Sequence, residues 1–135
     1  MKVHKWLVIG LLTMGVMSQG CALLLVGAAA GAAAGTVSFV ANELRVTHET
    51  TVDRAWGAAT ATLTELQFTV IQSKSSKDAT GGVLQARNAK DQPVVVQLFR
   101  RSDRLTEVRV RVGTFDTTAN RATAQLIYDK MRPRL

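Results

Sequence analysis

The stretch "TEVRVRV", residues 106–112, carries the alternation that decides the fold. Its valines at 108, 110 and 112 alternate with Glu107, Arg109 and Arg111. Because successive side chains of a strand point to opposite faces, this strand has one apolar face and one charged face. Such a strand is typical of an antiparallel sheet that is covered by helices on one side only.

Four further stretches upstream are predicted to be strands, because they alternate or are rich in β-branched residues. They are "ELRVTHET" (43–50), "FTVIQS" (68–73), "GVLQAR" (82–87) and "PVVVQLF" (93–99). The later strands are separated by the connections "KSSKDATG", "NAKDQ" and "RRSDRL", which are short and rich in turn residues. Loops of this length predict antiparallel hairpins.

Two helices complete the predicted domain. The first starts in a capping box formed by Thr50 and Asp53 and runs to about Leu66. Its apolar stripe, with Trp56 as a core anchor, is Val52, Trp56, Ala59, Leu63 and Leu66. The second runs from about Asp116 or Thr117 to Met131, with Asp116 as N-cap. The inward residues predicted for it are Ala122, Leu126 and either Ile127 or Tyr128.

The predicted fold class is therefore α+β, with the order β-α-β-β-β-β-α. The sheet is antiparallel, has about four to five strands, and carries both helices on one face. A signal peptide and an apolar segment rich in glycine and alanine precede it. The predicted boundaries are 1–20 for the signal peptide, 21–41 for the membrane-proximal segment and 42–135 for a small periplasmic domain.

The N-terminal stretch "MKVHKWLVIGLLTMGVMSQGC", residues 1–21, has the parts of a secretory signal. Basic residues precede an apolar region of about 12 residues, which is too short to cross the roughly 30 Å hydrocarbon core as a helix. The ending Ser18-Gln19-Gly20-Cys21 is similar to a bacterial lipobox, although Ser18 stands where leucine is usual. Cleavage between Gly20 and Cys21 and lipidation of Cys21 are therefore predicted.

An alternative for Cys21 is an ordinary small residue in a buried helix, which is how free cysteines commonly behave. If Cys21 is instead lipidated, it carries a covalent lipid such as palmitate. No cofactor is expected beside this lipid. Removal of Lys2 and Lys5 with the signal would lower the formal charge from +7 to +5. A basic surface of this kind favours anionic partners.

The run Ala22–Val40 contains no charged residue, and in it Gly27, Gly31 and Gly35 recur every four residues. On a helix this spacing makes a glycine zipper, along which a second helix can approach closely. Membrane lipid and a second copy of the chain are therefore the expected partners of this segment. A flexible tether between lipid and domain is the alternative. Whether the segment spans the membrane stays open.

The lipobox, the Gly/Ala run, the β-α start and the step "VRVRVGTFDT" (108–117) from last strand to last helix together carry a resemblance. The combination resembles a family of small proteobacterial envelope lipoproteins that is known only as a domain of unknown function. The resemblance covers nearly the whole chain. It implies an envelope protein and no particular mechanism.

The domain offers no catalytic constellation that the sequence can reveal. His48 is its only histidine, and neither a zinc-ligand cluster, a nucleophile turn nor a phosphate loop is evident, so no metal and no enzymatic activity are expected. The candidate binding residues, here called the hairpin arginines, are Arg100, Arg101, Arg104, Arg109 and Arg111. Arginine suits bidentate recognition of phosphate or carboxylate. Few aromatics accompany these arginines, which argues against nucleic acid.

Three functions are compatible with these features. The leading hypothesis is a non-enzymatic lipoprotein of the envelope that acts as a structural or interaction module. The second is a binding protein for an anionic envelope lipid or glycan through the hairpin arginines, and the third is an uncleaved inner-membrane protein. Because Ala22 and not aspartate follows Cys21, sorting of the enterobacterial type would favour the periplasmic side of the outer membrane over the inner membrane.

Overall fold

The computed structural model describes residues 37–135, which form one antiparallel sheet and two helices. The helices are α1 (Val52–Glu65) and α2 (Thr118–Met131), and short 3₁₀ turns occupy Gln72–Lys74 and Arg132–Arg134. The strands are β1 (Ser38–Val40), β2 (Glu43–His48), β3 (Thr69–Val70), β4 (Ser76–Asp78), β5 (Gly81–Arg87), β6 (Pro93–Ser102) and β7 (Leu105–Val112). The predicted α+β class is confirmed.

The strand order in the sheet is β1-β2-β7-β6-β5-β3, with β4 also paired to β5. The first long strand therefore pairs with the last one, with Val46 opposite Val108. The consecutive strands β5, β6 and β7 form hairpins, as their short connections predict. Residues 37–135 contain seven strands rather than four to five.

The two unpredicted strands, β1 and β4, have weak sequence signals. β1 lies within the uncharged segment that was assigned to the membrane-proximal region, and it pairs with β2. β4 lies within the connection "KSSKDATG", and all three of its residues are exposed. Both form through backbone hydrogen bonds to a longer neighbouring strand. The pattern of side chains in the sequence does not reveal such pairing. The predicted strand 68–73 shortens to β3, because a 3₁₀ turn begins at Gln72.

The core lies between the sheet and the two helices, which pack on the same face. The valines at 108, 110 and 112 are fully buried there, as the alternation predicts. Ala55, Ala59 and Leu63 of α1 are fully buried against them. Trp56 is partly buried and packs against this core, and a Cβ at Gly82 would lie 2.8 Å from its ring.

The N-caps of both helices differ from the predictions by one residue. Thr51, not Thr50, caps α1 by accepting a hydrogen bond from the Arg54 N–H at 3.2 Å. Thr117, not Asp116, caps α2. In each case the neighbouring residue has another role, since Thr50 is buried and Asp116 forms an ion pair with Arg121.

The inward face of α2 also corrects a prediction. Leu126 is 45% exposed and Ala122 is exposed, whereas Ile127 and Tyr128 are both buried. The residues of α2 that are buried are Asn120, Ala124, Ile127, Tyr128 and Met131. These residues have the spacing of one face of a regular helix. The helix is therefore rotated about its own axis relative to the predicted orientation.

Gly113 explains the shape of the step from β7 to α2. Its φ is +69°, a left-handed conformation that glycine adopts without steric cost. A Cβ at this position would lie 2.5 Å from Nδ2 of Asn120. That nitrogen donates a hydrogen bond to the Phe115 carbonyl at 2.9 Å, which closes the loop onto the helix. The turn therefore needs both the glycine and the buried asparagine.

Candidate functional site

The candidate surface is the face of the sheet that the helices leave uncovered, here called the open face. Neighbouring strands place its side chains in rows, and one row runs Arg45, Arg109, Gln97 and Val83 across β2, β7, β6 and β5. The adjacent row holds Glu43, Arg111 and Val95. Charged residues therefore dominate the β2–β7 half of the open face.

Five charged residues of the open face form an alternating chain of ion pairs, in the order Arg45, Glu43, Arg109, Glu107 and Arg101. Glu107 Oε1 accepts from Arg109 Nε at 2.5 Å, and its Oε2 accepts from Arg101 Nε at 2.8 Å. Glu43 Oε1 accepts from Arg45 Nε at 2.7 Å and lies 3.9 Å from Arg109 Nη1. Three arginines and two glutamates are thus linked, and the chain carries a net charge of +1.

Two arginines of this chain of ion pairs lie over the ring of Phe99. The guanidinium carbon of Arg109 lies 4.3 Å from the centre of the Phe99 ring, and that of Arg101 lies 5.9 Å away. Burial alone would raise the pKa of Glu107, but hydrogen bonds from Arg109 and Arg101 outweigh it and lower that pKa. Glu107 therefore stays ionised at neutral pH and holds both arginines in place.

The structure divides the hairpin arginines between two places. Arg101, Arg109 and Arg111 lie on the open face, where Arg111 has no carboxylate within 4 Å among the described residues. Arg100 forms an ion pair with Asp103 in the β6–β7 turn. Arg104, in the same turn, lines a cavity at the start of α1 together with Thr50 and Arg54. The five arginines do not form one patch.

Sequence reasoning missed two members of the open face, Glu43 and Arg45. The alternation of "ELRVTH" does place them on the polar side of β2. Their contact with Arg109 depends on the pairing of β2 with β7, which lie far apart in the chain. Alternation identifies a face, but it does not identify the neighbouring strand.

His48 contacts a tyrosine. Its Nε2 lies 2.6 Å from the hydroxyl of Tyr128, and the two rings are 5.7 Å apart between centres. Burial, and then the positive charge of Arg132, lower the pKa of His48, whereas burial raises the pKa of Tyr128. Both groups are therefore neutral near pH 7, and their hydrogen bond joins β2 to α2.

Other predicted site residues lie outside the part of the chain that the structure describes. These are Gly20, Cys21, Gly27, Gly31 and Gly35. Within residues 37–135, no three His, Cys, Asp or Glu side chains are grouped so that they could hold a metal ion. No helix in that range is long and apolar enough to cross a membrane.

Comparison with protein families gives one result. A family model described as "Protein of unknown function (DUF3568)" matches residues 2–130. The chain belongs to the DUF3568 family. The resemblance inferred from the lipobox, the Gly/Ala run and "VRVRVGTFDT" is confirmed as far as membership of a family of unknown function. A search of curated proteins finds no match.

The DUF3568 match extends over the N-terminal segment as well as the folded domain. The matched range includes Cys21, the Gly/Ala run and nearly all of the folded domain. The match carries no activity, ligand or partner with it.

Proposed function

We propose that this protein is a non-enzymatic lipoprotein of the bacterial envelope, whose domain acts as a structural or interaction module in the periplasm. The observation that carries the proposal is the position of the only cysteine, Cys21, directly after Gly20 at the end of a basic and then apolar segment. The segment after Cys21 is uncharged up to the first strands of the domain. Acyl chains on Cys21, at about 0.8 kcal/mol for each buried methylene, would hold the domain at a membrane.

The first experiment measures incorporation of labelled palmitate and the intact mass. Wild-type protein is expected to be labelled and to have the mass of a chain that starts at Cys21 and carries lipid. Cys21→Ala is expected to be unlabelled. The control combines Cys21→Ala with Ser38→Cys, which restores one thiol at an exposed position of β1 and should stay unlabelled. Unlabelled wild type with an uncut mass would refute the proposal and support the uncleaved inner-membrane protein.

The location in the outer membrane follows from Ala22 and is tested separately. Sucrose-gradient fractionation is expected to place the wild type with outer-membrane markers, and Ala22→Asp is expected to move it toward inner-membrane fractions. Recovery of the wild type with inner-membrane markers would contradict this location. Self-association through Gly27, Gly31 and Gly35 predicts that Gly31→Leu reduces a crosslinked oligomer. An undiminished oligomer would remove the glycine zipper.

A second candidate function is binding of an anionic envelope lipid or glycan on the open face. Arg111 favours it, because this arginine is exposed and lacks a carboxylate partner among the described residues. The test is binding to vesicles that contain phosphatidylglycerol, compared with phosphatidylcholine alone. Arg111→Gln should weaken the difference, whereas Asp103→Asn, which changes charge in the turn, should not weaken it. Vesicle binding that changes neither with salt concentration nor in Arg111→Gln would exclude this function.

A further inference from the structure

We infer that the cavity at the start of α1 is a binding site for a phosphate group. It lies where β2 leads into α1, beneath the turn between β6 and β7. Its volume is about 250 Å³. The residues that line this phosphate cavity are Glu49, Thr50, Thr51, Arg54 and Arg104. The site is separate from the open face and does not depend on the lipid anchor.

Thr50 supplies the observation that points to a ligand. Thr50 lines the phosphate cavity, yet the residue is only 6% exposed. Its N–H donates to the His48 carbonyl at 3.0 Å, and its carbonyl accepts from Thr106 Oγ1 at 2.9 Å. The Thr50 hydroxyl alone has no hydrogen-bond partner. A buried hydroxyl without a partner costs about 1–3 kcal/mol, so a ligand that accepts its hydrogen bond would remove a real penalty.

The N-terminus of α1 adds backbone donors. Thr51 Oγ1 accepts from the Arg54 N–H, and the first hydrogen bond of the helix backbone runs from the Ala55 N–H to the Thr51 carbonyl at 3.0 Å. The N–H groups of Val52 and Asp53 have no partner within the helix, as in any first turn. Together with the helix dipole, worth about half a positive charge here, they favour an anion.

Two arginines complete the set of donors. Arg54 Nε donates to the Arg134 carbonyl at 3.3 Å, which holds the side chain and leaves its terminal nitrogens available. Arg104 is exposed in the β6–β7 turn. Among the described residues neither guanidinium has a carboxylate within 4 Å. Glu49 is the acidic residue in the lining, so the lining side chains sum to a net charge of +1.

The donors have different chemistry but a common acceptor. Thr50 and the two arginines line one cavity beside the first turn of α1, and a phosphate offers several oxygens that can accept from hydroxyl, backbone N–H and guanidinium donors. Arginine pairs with phosphate through two parallel hydrogen bonds. The phosphate can belong to a free ion or to the ester of a lipid headgroup. Both sources present the same oxygens to this cavity.

The test uses the full chain with Cys21→Ala, so that lipidation does not enter the result. Equilibrium dialysis with inorganic phosphate at constant ionic strength measures binding. Arg104→Gln is expected to bind about tenfold more weakly, because a charge-assisted pair is lost. Arg87→Gln is the matched control, since it removes the same charge from an exposed arginine at the end of β5 that does not line the cavity, and its binding should be unchanged.

Thr50 gives an independent variant pair. Thr50→Val removes the hydroxyl and is expected to weaken phosphate binding, whereas Thr50→Ser retains the hydroxyl and the binding. Circular dichroism checks that Thr50→Val is folded, and if it is not, the exposed Arg104 decides the question alone. Absence of saturable binding, or equal binding by Arg104→Gln and Arg87→Gln, would overturn the inference.

Competition distinguishes the two sources of phosphate. Glycerophosphoglycerol, the water-soluble headgroup of phosphatidylglycerol, is added to the protein with bound inorganic phosphate. Displacement supports the site with a headgroup phosphate as its ligand. Retention of the inorganic ion supports the site with free phosphate as its ligand. Because the chain carries no lipid in this experiment, its failure is independent of the failure of the palmitate experiment.

Discussion

Replacement of Gly113 by alanine tests the packing between β7 and α2 most directly. At a φ of +69° a non-glycine residue costs roughly 1–2 kcal/mol. The new Cβ would also lie 2.5 Å from Asn120 Nδ2 and would displace an amide that is only 6% exposed. Loss of its hydrogen bond to the Phe115 carbonyl adds about 1–3 kcal/mol. We therefore expect Gly113→Ala to lower the free energy of unfolding by about 2–5 kcal/mol.

The assay is urea unfolding of the full chain, followed by circular dichroism. Gly57→Ala is the matched control, because Gly57 is exposed within α1 and no atom lies within 4 Å of a Cβ built there. Alanine is the better helix former, so this control should raise the unfolding free energy by about 0.5–1 kcal/mol. The two identical substitutions should thus have opposite signs. A loss below about 0.5 kcal/mol for Gly113→Ala would refute the reasoning, since both costs that it invokes exceed that value.

Three further predictions concern buried polar contacts. Burial and the charge of Arg132 lower the pKa of His48 in the folded state. The contribution of His48 to the free energy of unfolding should therefore be fully present above the unfolded pKa of about 6.5 and should be lost as the pH falls below it. His48→Gln should reduce the change of the urea midpoint between pH 7.5 and 5. Thr106→Val leaves the buried Thr50 carbonyl without its hydrogen bond and should lower the free energy of unfolding in urea by about 1–3 kcal/mol, whereas Thr106→Ser should lower it less. Glu107→Gln should lower the melting temperature more than Asp103→Asn, because the Glu107 side chain is 13% exposed and that of Asp103 is 89% exposed.

Periodicity along the chain predicted the parts of the fold that depend on burial of one face. The alternation in "TEVRVRV" identified the dry and wet faces of β7, and the stripe through Leu63 identified α1. Each pattern indicates which face of a single strand or helix packs against the core. The pairing of β2 with β7 is a contact between distant segments, and no local pattern encodes which strand becomes the neighbour.

The hairpin arginines show why a site is harder to predict than a fold. Their positions in the sequence indicated one patch, but Arg100 and Arg101 are adjacent residues of β6. Arg100 is paired with the buried Thr106 and lies toward the helix side, whereas Arg101 contacts Glu107 on the open face. Arg100 is on the same side of β6 as the buried Val96 and Leu98, because alternate residues of a strand share a face, so two adjacent arginines point to opposite faces.

The direction of β1 connects the phosphate cavity with the proposed lipid anchor. β1 is antiparallel to β2, with Val40 opposite Glu43 and Ser38 opposite Arg45, so the chain enters the sheet from the end at which β2 finishes and α1 begins. The phosphate cavity lies at that same end.

A bilayer experiment follows from this direction. If a headgroup phosphate occupies the cavity, the backbone N–H groups of Val52 and Asp53 become hydrogen-bonded to it, and their exchange with solvent deuterium slows. We expect the lipidated protein to show slower exchange at these two residues on bilayers with phosphatidylglycerol than on phosphatidylcholine alone. Arg104→Gln should abolish the difference, and Arg87→Gln should leave it. Equal exchange on both bilayers would mean that the cavity does not hold a headgroup phosphate, and the free ion would then be its ligand.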